Sequence, residues 1–177
     1  LNLLEPLDLG QYGVRDPAKY HALIEAFGLA YADRGEYMGD KAFADAPWQG
    51  LFDEGYLAER RDLVPPYNAS PGTPQPGDPW SYQPGAPYRV EAPSIDRGRE
   101  PHPTSRNTGH TTHFTVADGD GNLVSWTSTI EQLFGTGIMV PGYGFMLNNE
   151  LTDFDAVPGG PNEVAPTKRP LSSTSPT

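Results

Sequence analysis

Two adjacent threonines, Thr111 and Thr112, stand where a Pro- and Gly-rich stretch gives way to alternating polar and apolar residues. A threonine pair inside a strand is usually explained by β-propensity alone, since the branched side chain packs well on a pleated sheet. This pair, however, lies at the junction between a long loop and the start of a strand. That position makes a threonine hydroxyl the first candidate for chemistry in this chain.

Other residue types that often carry chemistry form weaker patterns. The chain has no cysteine, which excludes a disulfide scaffold, a zinc-thiolate site and a cysteine nucleophile. The four histidines show no metal spacing such as H-E-x-x-H, and His113 is better explained as a packed strand residue than as a base. The serine motif G-x-S-x-G is absent.

The acidic run at residues 118–122 has the composition of a calcium loop but not its setting. A calcium-binding helix-loop-helix needs flanking helices and a glutamate at the twelfth position, whereas the flanks here alternate as strands do. We therefore expect a plain hairpin turn.

Net charge argues against one class of partner. The formal charge is -11, and no cluster of Lys and Arg offsets it, so a phosphate backbone would be repelled. Nucleic acid is an unfavourable partner, and no apolar run approaches the roughly 20 residues that cross a bilayer.

The elements that must position Thr111 fall into three regions. Residues 16–38 carry a helix signal, with Asp16 as cap, Pro17 at the first position and an apolar stripe predicted to face the core, made of Tyr20, Leu23, Ile24, Phe27 and Tyr31. A second, shorter helix is expected from Trp48 to Arg60-Arg61. Residues 1–64 are thus predicted to be mainly helical.

The second region, residues 65–110, is rich in Pro and Gly and is predicted to be a linker. We expect residues 65–108 to be poorly ordered or extended over the surface, with few contacts to lose when the chain moves. In the third region, residues 111–117 and 123–130 predict a β-hairpin, residues 143–147 a further strand, and residues 158–170 a loop. Helices, linker and strands in this order favour an α+β fold or a layered α/β sandwich.

Several ordered motifs resemble the gamma-glutamyltransferase family. The start of its small subunit is matched by Thr111-Thr112-His113-Phe114 with Val116, Ala117 and Asp118, then Phe134-Gly135-Thr136-Gly137, Leu147-Asn148-Asn149-Glu150, Asp153-Phe154 and Lys168-Arg169-Pro170-Leu171-Ser172-Ser173. The end of its large subunit is matched by Leu1-Asn2-Leu3-Leu4-Glu5, Ala32-Asp33-Arg34, Tyr37, Gly39-Asp40 and Ala58-Glu59-Arg60-Arg61. Residues 65–108 are the poorly matched part.

The resemblance implies part of the four-layer αββα sandwich of N-terminal-nucleophile hydrolases. It divides the chain into the end of a large subunit (1–64), a linker ending at the processing site (65–110) and the start of a small subunit (111–177), all from one precursor. It also implies that the chain cuts itself between His110 and Thr111. A threonine hydroxyl needs a base, and an N-terminal threonine carries one in its own α-amine, with a pKa of about 7.7 to 8.0.

The resemblance further implies gamma-glutamyl transfer from glutathione or related donors to water, an amino acid or a peptide, with no cofactor or metal. The resemblance also implies a periplasmic or secreted location. Thr111 corresponds to the nucleophile and Thr129 to the threonine that supports it. Glu131, Glu150 and Asp153 correspond to positions that hold the donor's α-ammonium, and Ser172 and Ser173 to those that hydrogen-bond its α-carboxylate.

Two departures from the family pattern affect these expectations. Some members have Asn where this chain has Glu131, which predicts a more acidic ammonium site. The family's carboxylate-binding arginine and the paired glycines of its oxyanion hole have no counterpart here, so we expect a fragment that is inactive alone. Loss of one oxyanion-hole donor costs about 10² to 10³ in rate.

Two other functions remain open. A β-lactam side-chain acylase of the same superfamily would keep Thr111 but bind a dicarboxylate side chain, which Glu150 and Asp153 would repel. A non-catalytic secreted binding module could retain the fold without cutting itself.

Overall fold

The computed structural model describes residues 1–85 and 110–173, which belong to two compact units, Leu1–Pro93 and Ser94–Thr177. The described part of the first unit is helical, and that of the second is built on a β-hairpin. The described chain is therefore a small α+β structure, as predicted.

In residues 1–85, the described part of the first unit, there are three α-helices and three short 3-10 helices. The α-helices are α1 (Pro17–Tyr37), α2 (Trp48–Leu51) and α3 (Glu54–Asp62), and the 3-10 helices are Glu5–Leu7, Leu9–Gln11 and Pro79–Tyr82. None of the helices in residues 1–85 and 110–173 combines the length and the apolarity that crossing a membrane requires.

The start of α1 follows the sequence prediction. Asp16 is extended and its carboxylate accepts the N–H of Ala18 at 2.9 Å, which satisfies one of the unpaired amides of the first turn. Pro17 occupies the first helical position, where no N–H is needed. The predicted helix is confirmed.

The single helix predicted from Trp48 onward is wrong, because the chain breaks at Phe52 and Asp53. Asp53 is extended, and its side chain accepts the N–H groups of Gly55 at 2.8 Å and Tyr56 at 3.4 Å. An aspartate in that role begins a new helix. The apolar pattern continues across the break, which is why pattern alone missed it.

The apolar stripe of α1 is also not the buried face. Ile24 is 67% exposed, and Phe27 and Tyr31 are each more than half exposed. The buried residues lie on the opposite side of the helix and are Glu25, Ala26, Leu29, Asp33 and Tyr37. Burial follows the contacts that the rest of the unit makes, rather than hydrophobicity alone, because Ala26 packs with Leu3 and Leu57 while the acids of this face bind backbone amides.

Residues 70–77 lie along this buried face of α1. The N–H of Ser70 donates to Glu25 at 3.1 Å, and the N–H of Gly77 donates to Asp33 at 2.9 Å. The expectation of few contacts is therefore wrong for residues 65–85, since a segment poor in side-chain hydrophobicity is fixed through its backbone. The remainder of the predicted linker, residues 86–109, lies outside the described residues.

Arg60 joins α3, α1 and residues 65–85. It is 4% exposed, forms an ion pair with Asp33 at 3.1 Å, and donates to the carbonyl oxygens of Leu29 at 3.2 Å and Gln75 at 2.9 Å. A buried charge with these partners fixes the relative position of its neighbours, because removing the carboxylate of Asp33 would leave the guanidinium uncompensated.

The predicted hairpin is confirmed as β1 (Thr112–Ala117) and β2 (Leu123–Ser128), paired antiparallel with Thr112 opposite Ser128. Its turn is held by Asp118, whose carboxylate accepts the N–H groups of Asp120 at 3.0 Å and Asn122 at 2.9 Å. The pKa of Asp118 is lowered most by a hydrogen bond from the side chain of Asn122, and these backbone bonds lower it further. The acidic run is thus a hairpin turn, as expected.

The strand predicted at residues 143–147 does not form. Met139 and Met146 make an isolated antiparallel bridge around a tight turn, in which the N–H of Val140 donates to Phe145 O at 2.9 Å. Gly142 and Gly144 both have positive φ, a conformation that an extended strand does not contain. The two glycines therefore prevent the strand pairing that the apolar residues of this segment favour.

Candidate active site

Thr111 and Thr129 lie at the open end of the hairpin, one residue before β1 and one after β2. Because Thr112 is opposite Ser128, Thr111 and Thr129 continue the same register on the other face of the sheet. The hydroxyl of Thr111 donates to Oγ1 of Thr129 at 3.1 Å. The chain therefore brings together the two threonines singled out from the sequence.

Thr129 has a second contact that the sequence did not reveal. Its Oγ1 accepts the backbone N–H of Glu131 at 3.0 Å, a local turn typical of threonine. Glu131 adopts φ of 74°, which is uncommon for a residue with a side chain. An amide that polarises Oγ1 strengthens the other hydrogen bonds of the same hydroxyl.

His113 occupies the next position on the same face as Thr111. Its Nδ1 is hydrogen-bonded to Oγ1 of Thr127 at 2.7 Å and its Nε2 to Oγ of Ser125 at 3.2 Å. Both ring nitrogens are thus engaged by β2, which agrees with the interpretation of His113 as a packed strand residue.

Three acids follow the threonine pair. Burial raises the pKa of Glu150, and the neighbouring Asp153 carboxyl, to which it is hydrogen-bonded, and the charge of Glu131 raise it further. Oε2 of Glu131 is buried and has no hydrogen-bond partner among the described residues. The structure therefore gathers Glu131, Glu150 and Asp153 into one acidic cluster that could accept hydrogen bonds from a cation.

Asn149 ties the start of this cluster to the hairpin. Its Oδ1 accepts the N–H of Gln132 at 3.0 Å, and its own N–H donates to Ile130 O at 3.2 Å. Glu131, between those two residues, is thereby held beside Glu150. Within residues 1–85 and 110–173 no group of three histidine or acidic residues is arranged to hold a metal ion.

The loop from Phe134 to Gly137 packs against the chain that leads into Asn149. Gly135 has φ of 53°, and a Cβ there would lie 2.1 Å from Leu147 O, so only glycine fits. The N–H of Thr136 donates to the same carbonyl oxygen at 3.0 Å. This close approach fixes the backbone on both sides of the acidic cluster.

Ser172 and Ser173 follow Leu171, whose N–H donates to Oδ1 of Asn162 at 3.0 Å. The Nδ2 of Asn162 donates in turn to Asp153 O at 2.8 Å. The serines are thus connected to the acidic cluster through Asn162. Sequence reasoning missed this residue and the role of Asn149, because an asparagine in a loop carries no periodic signal.

A comparison with known proteins identifies the family to which this chain is similar. The family model described as Gamma-glutamyltranspeptidase matches residues 1–177. The glutathione hydrolase proenzyme of Bacillus subtilis (strain 168) is 51% identical over 177 residues, covering 100% of this chain and 29% of that protein.

Two acylases are also similar. The Acylase ACY 1 proenzyme of Pseudomonas sp. (strain SE83) is 35% identical over 176 residues, covering 99% of this chain and 27% of that protein. The crystal structure of cephalosporin acylase from Bacillus halodurans superposes with a TM-score of 0.61 at 26% identity, covering 95% of this chain and 26% of that one. This chain thus spans less than a third of the length of these relatives, and its match along every residue to the family model shows that it belongs to the gamma-glutamyltranspeptidase family.

Proposed function

We propose that this chain is the part of a gamma-glutamyltransferase and glutathione hydrolase precursor that spans the processing site. The end of the large subunit would be residues 1–64, the linker residues 65–110 and the start of the small subunit residues 111–177. The observation that carries the proposal is the 3.1 Å hydrogen bond between the hydroxyls of Thr111 and Thr129 at the open end of the hairpin. Membership of the family supports it.

In the precursor, Oγ1 of Thr111 attacks the carbonyl carbon of His110. The C–N bond between the two residues breaks, its nitrogen takes the hydroxyl proton, and the acyl group moves to the oxygen as an ester. Water then hydrolyses the ester, leaving a carboxylate on His110 and a free amine on Thr111. Self-cleavage therefore consumes one water and creates the base that turnover needs.

In turnover, the free α-amine of Thr111 takes the proton from Oγ1, and the oxygen attacks the γ-carbonyl carbon of the donor. The proton passes to the leaving amine, and an ester between Thr111 and the gamma-glutamyl group remains. Water or the amine of an amino acid or peptide then attacks that ester. The hydroxyl of Thr129 can rotate to donate to Oγ1 of Thr111 as negative charge develops there.

The acidic cluster supports a donor with an α-ammonium. Carboxylates accept charge-assisted hydrogen bonds from the N–H groups of an ammonium. The buried Oε2 of Glu131 has no hydrogen-bond partner among the described residues, so it can accept one from the donor's ammonium. Ser172 and Ser173 would donate their hydroxyls to the α-carboxylate. A gamma-glutamyl group carries both charges on one carbon atom.

An acylase is the second candidate, because two of the similar proteins bear that name. A glutaryl side chain has a carboxylate but no ammonium, so Glu131, Glu150 and Asp153 would repel it. The same three acids therefore favour a gamma-glutamyl donor over a dicarboxylate side chain.

We also infer that the hairpin supplies two central strands of the αββα sandwich of N-terminal-nucleophile hydrolases. The likeness to cephalosporin acylase over 95% of this chain supports that architecture. Phe114 and Trp126, stacked at 6.4 Å across the pair, lie on the sheet face opposite Thr111 and would face a helical layer.

The proposed function is tested with the complete protein and two chromogenic anilides. We expect hydrolysis of the gamma-glutamyl anilide and transfer to an added dipeptide, with much slower hydrolysis of the glutaryl anilide. A preference for the glutaryl compound would support the acylase instead. A protein that stays in one piece and hydrolyses neither compound would support the non-catalytic binding module.

The raised pKa of Glu150 predicts that donor binding depends on pH. Its pKa is raised by burial and by Asp153 and Glu131, so protonation begins above the usual range of a glutamate. An ammonium requires the ionised carboxylate, and KM for the gamma-glutamyl anilide should therefore rise by up to about tenfold per pH unit below that pKa. The contribution of Glu150 to the free energy of unfolding should change in the opposite direction. Because its pKa is raised in the folded state, Glu150 stabilises the fold at low pH, and this contribution is lost as the pH rises through the folded-state pKa.

The variant Glu150→Gln identifies the group responsible. It should bind donor more weakly at neutral pH, and the rise in KM on acidification should be lost in the pH range where Glu150 titrates, because a glutamine side chain does not change its charge there. A profile of KM against pH measures this. An unchanged rise in Glu150→Gln would show that another group titrates.

A further inference from the structure

Asn162 is buried in a part of the chain that is otherwise open. It is 2% exposed, and among residues 110–173 only Gly160 is buried as well. It lies in a loop without helix or strand of its own. A buried polar side chain in such a place must be fully hydrogen-bonded, or it would destabilise the fold.

The side chain amide of Asn162 meets that requirement through separate pieces of chain. Nδ2 donates to Asp153 O at 2.8 Å and lies 3.4 Å from Oδ1 of Asp155, while Oδ1 accepts the N–H of Leu171 at 3.0 Å. Its backbone oxygen accepts the N–H of Asp155 at 3.0 Å. One amide therefore spans the distance between the backbone of Asp153 and the residue that precedes Ser172.

We propose that Asn162 is a positioning residue that sets the spacing between the two halves of the donor site. The inference rests on the proposed function, in which Asp153 holds the α-ammonium and Ser172 and Ser173 hold the α-carboxylate. Both groups are attached to one carbon atom of the donor, so the acid and the serines must keep a fixed separation. Misplacement by about 1 Å can cost as much as 100-fold in an enzyme site.

The experiment compares three competitive inhibitors of the complete, self-cleaved protein. Glutamate has both α-groups, γ-aminobutyrate lacks the α-carboxylate, and glutarate lacks the α-ammonium. In Asn162→Ser we expect the inhibition constant of glutamate to rise about tenfold. The inhibition constants of γ-aminobutyrate and glutarate, which each lack one of the two α-groups, should change less than about threefold. Two-point binding depends on spacing, and one-point binding does not.

Asn122→Ser is the matched control, because Asn122 also fixes a loop of this unit through its amide, donating to Asp118 at 2.7 Å. It should leave all three inhibition constants unchanged. A second variant, Asn162→Asp, keeps the size of the side chain and the acceptor for Leu171 but loses both Nδ2 donors. It should also weaken glutamate selectively.

Several outcomes would overturn the inference. An unchanged constant for glutamate in both Asn162 variants would do so, as would equal weakening of all three inhibitors, which indicates general loosening of the unit. Failure of both variants to cleave at His110 would assign Asn162 to folding instead. If the unmodified protein itself binds glutamate no better than glutarate, the proposed function fails rather than the role of Asn162.

Discussion

Replacing Thr111 by alanine should abolish two reactions at once, cleavage of the bond between His110 and Thr111 and turnover of gamma-glutamyl donors. One oxygen performs both attacks, and the hydroxyl of Thr129 does not replace it, because that hydroxyl lies across the strand pair and accepts the N–H of Glu131. Loss of a nucleophile typically costs roughly 10⁴- to 10⁶-fold in rate. Gel analysis of the full-length protein, followed by an anilide assay, measures both losses.

Two further variants separate the hydroxyl from its surroundings. Thr111→Ser retains the oxygen but lacks the methyl group that restricts rotation about χ1, so both reactions should persist at lower rates. Thr112→Ala is the control, since Thr112 pairs with Ser128 on the opposite face of the hairpin. Continued cleavage at this bond in Thr111→Ala, or failure of Thr112→Ala alone, would remove the basis of the proposed function.

Asp153→Asn should weaken donor binding by about 1.5 to 3 kcal/mol, the usual contribution of a hydrogen bond to a charged group, which corresponds to roughly 10- to 150-fold in KM. Self-cleavage should be largely unaffected, because it takes place between His110 and Thr111 and involves no ammonium. The substitution also removes the charge that helps raise the pKa of Glu150. The rise in KM on acidification should therefore shift to lower pH.

Asp120→Asn serves as control for Asp153→Asn. It removes one negative charge from the same unit, in the turn of the hairpin, where Asp120 is exposed. KM should stay within about twofold of the unmodified protein. If Asp153→Asn leaves KM unchanged but prevents self-cleavage, Asp153 does not hold the ammonium.

Local signals predicted the elements that local chemistry determines. The cap at Asp16 and the alternation on either side of the turn at residues 118–122 define α1 and the hairpin, because the physical cause of each lies within a few residues. The register of the hairpin then brings Thr111 to Thr129. The family resemblance, rather than any pattern, directed attention to Glu131, Glu150 and Asp153.

Features that depend on distant contacts were not predictable in this way. The apolar stripe of α1 predicts a core-facing side, yet the buried side is the one whose acids bind residues 65–85. Because the chain spans 29% of the length of the Bacillus subtilis relative, an apolar face need not find its partner within this span. Asn149 bonds to a residue 17 positions away and Asn162 to residues 7 to 9 positions away, each across irregular chain, and periodicity cannot report such links.

The left-handed backbone of Glu131 limits how this site can be re-engineered. Its amide supports Thr129 while its side chain belongs to the acidic cluster, so a random substitution at this position alters rate and donor choice together. Asparagine, aspartate and glycine tolerate the positive φ far better than branched or bulky residues do. A library that seeks new donors without losing turnover would therefore vary residues 150 and 153 freely, and would restrict position 131 to those three residues and the native glutamate.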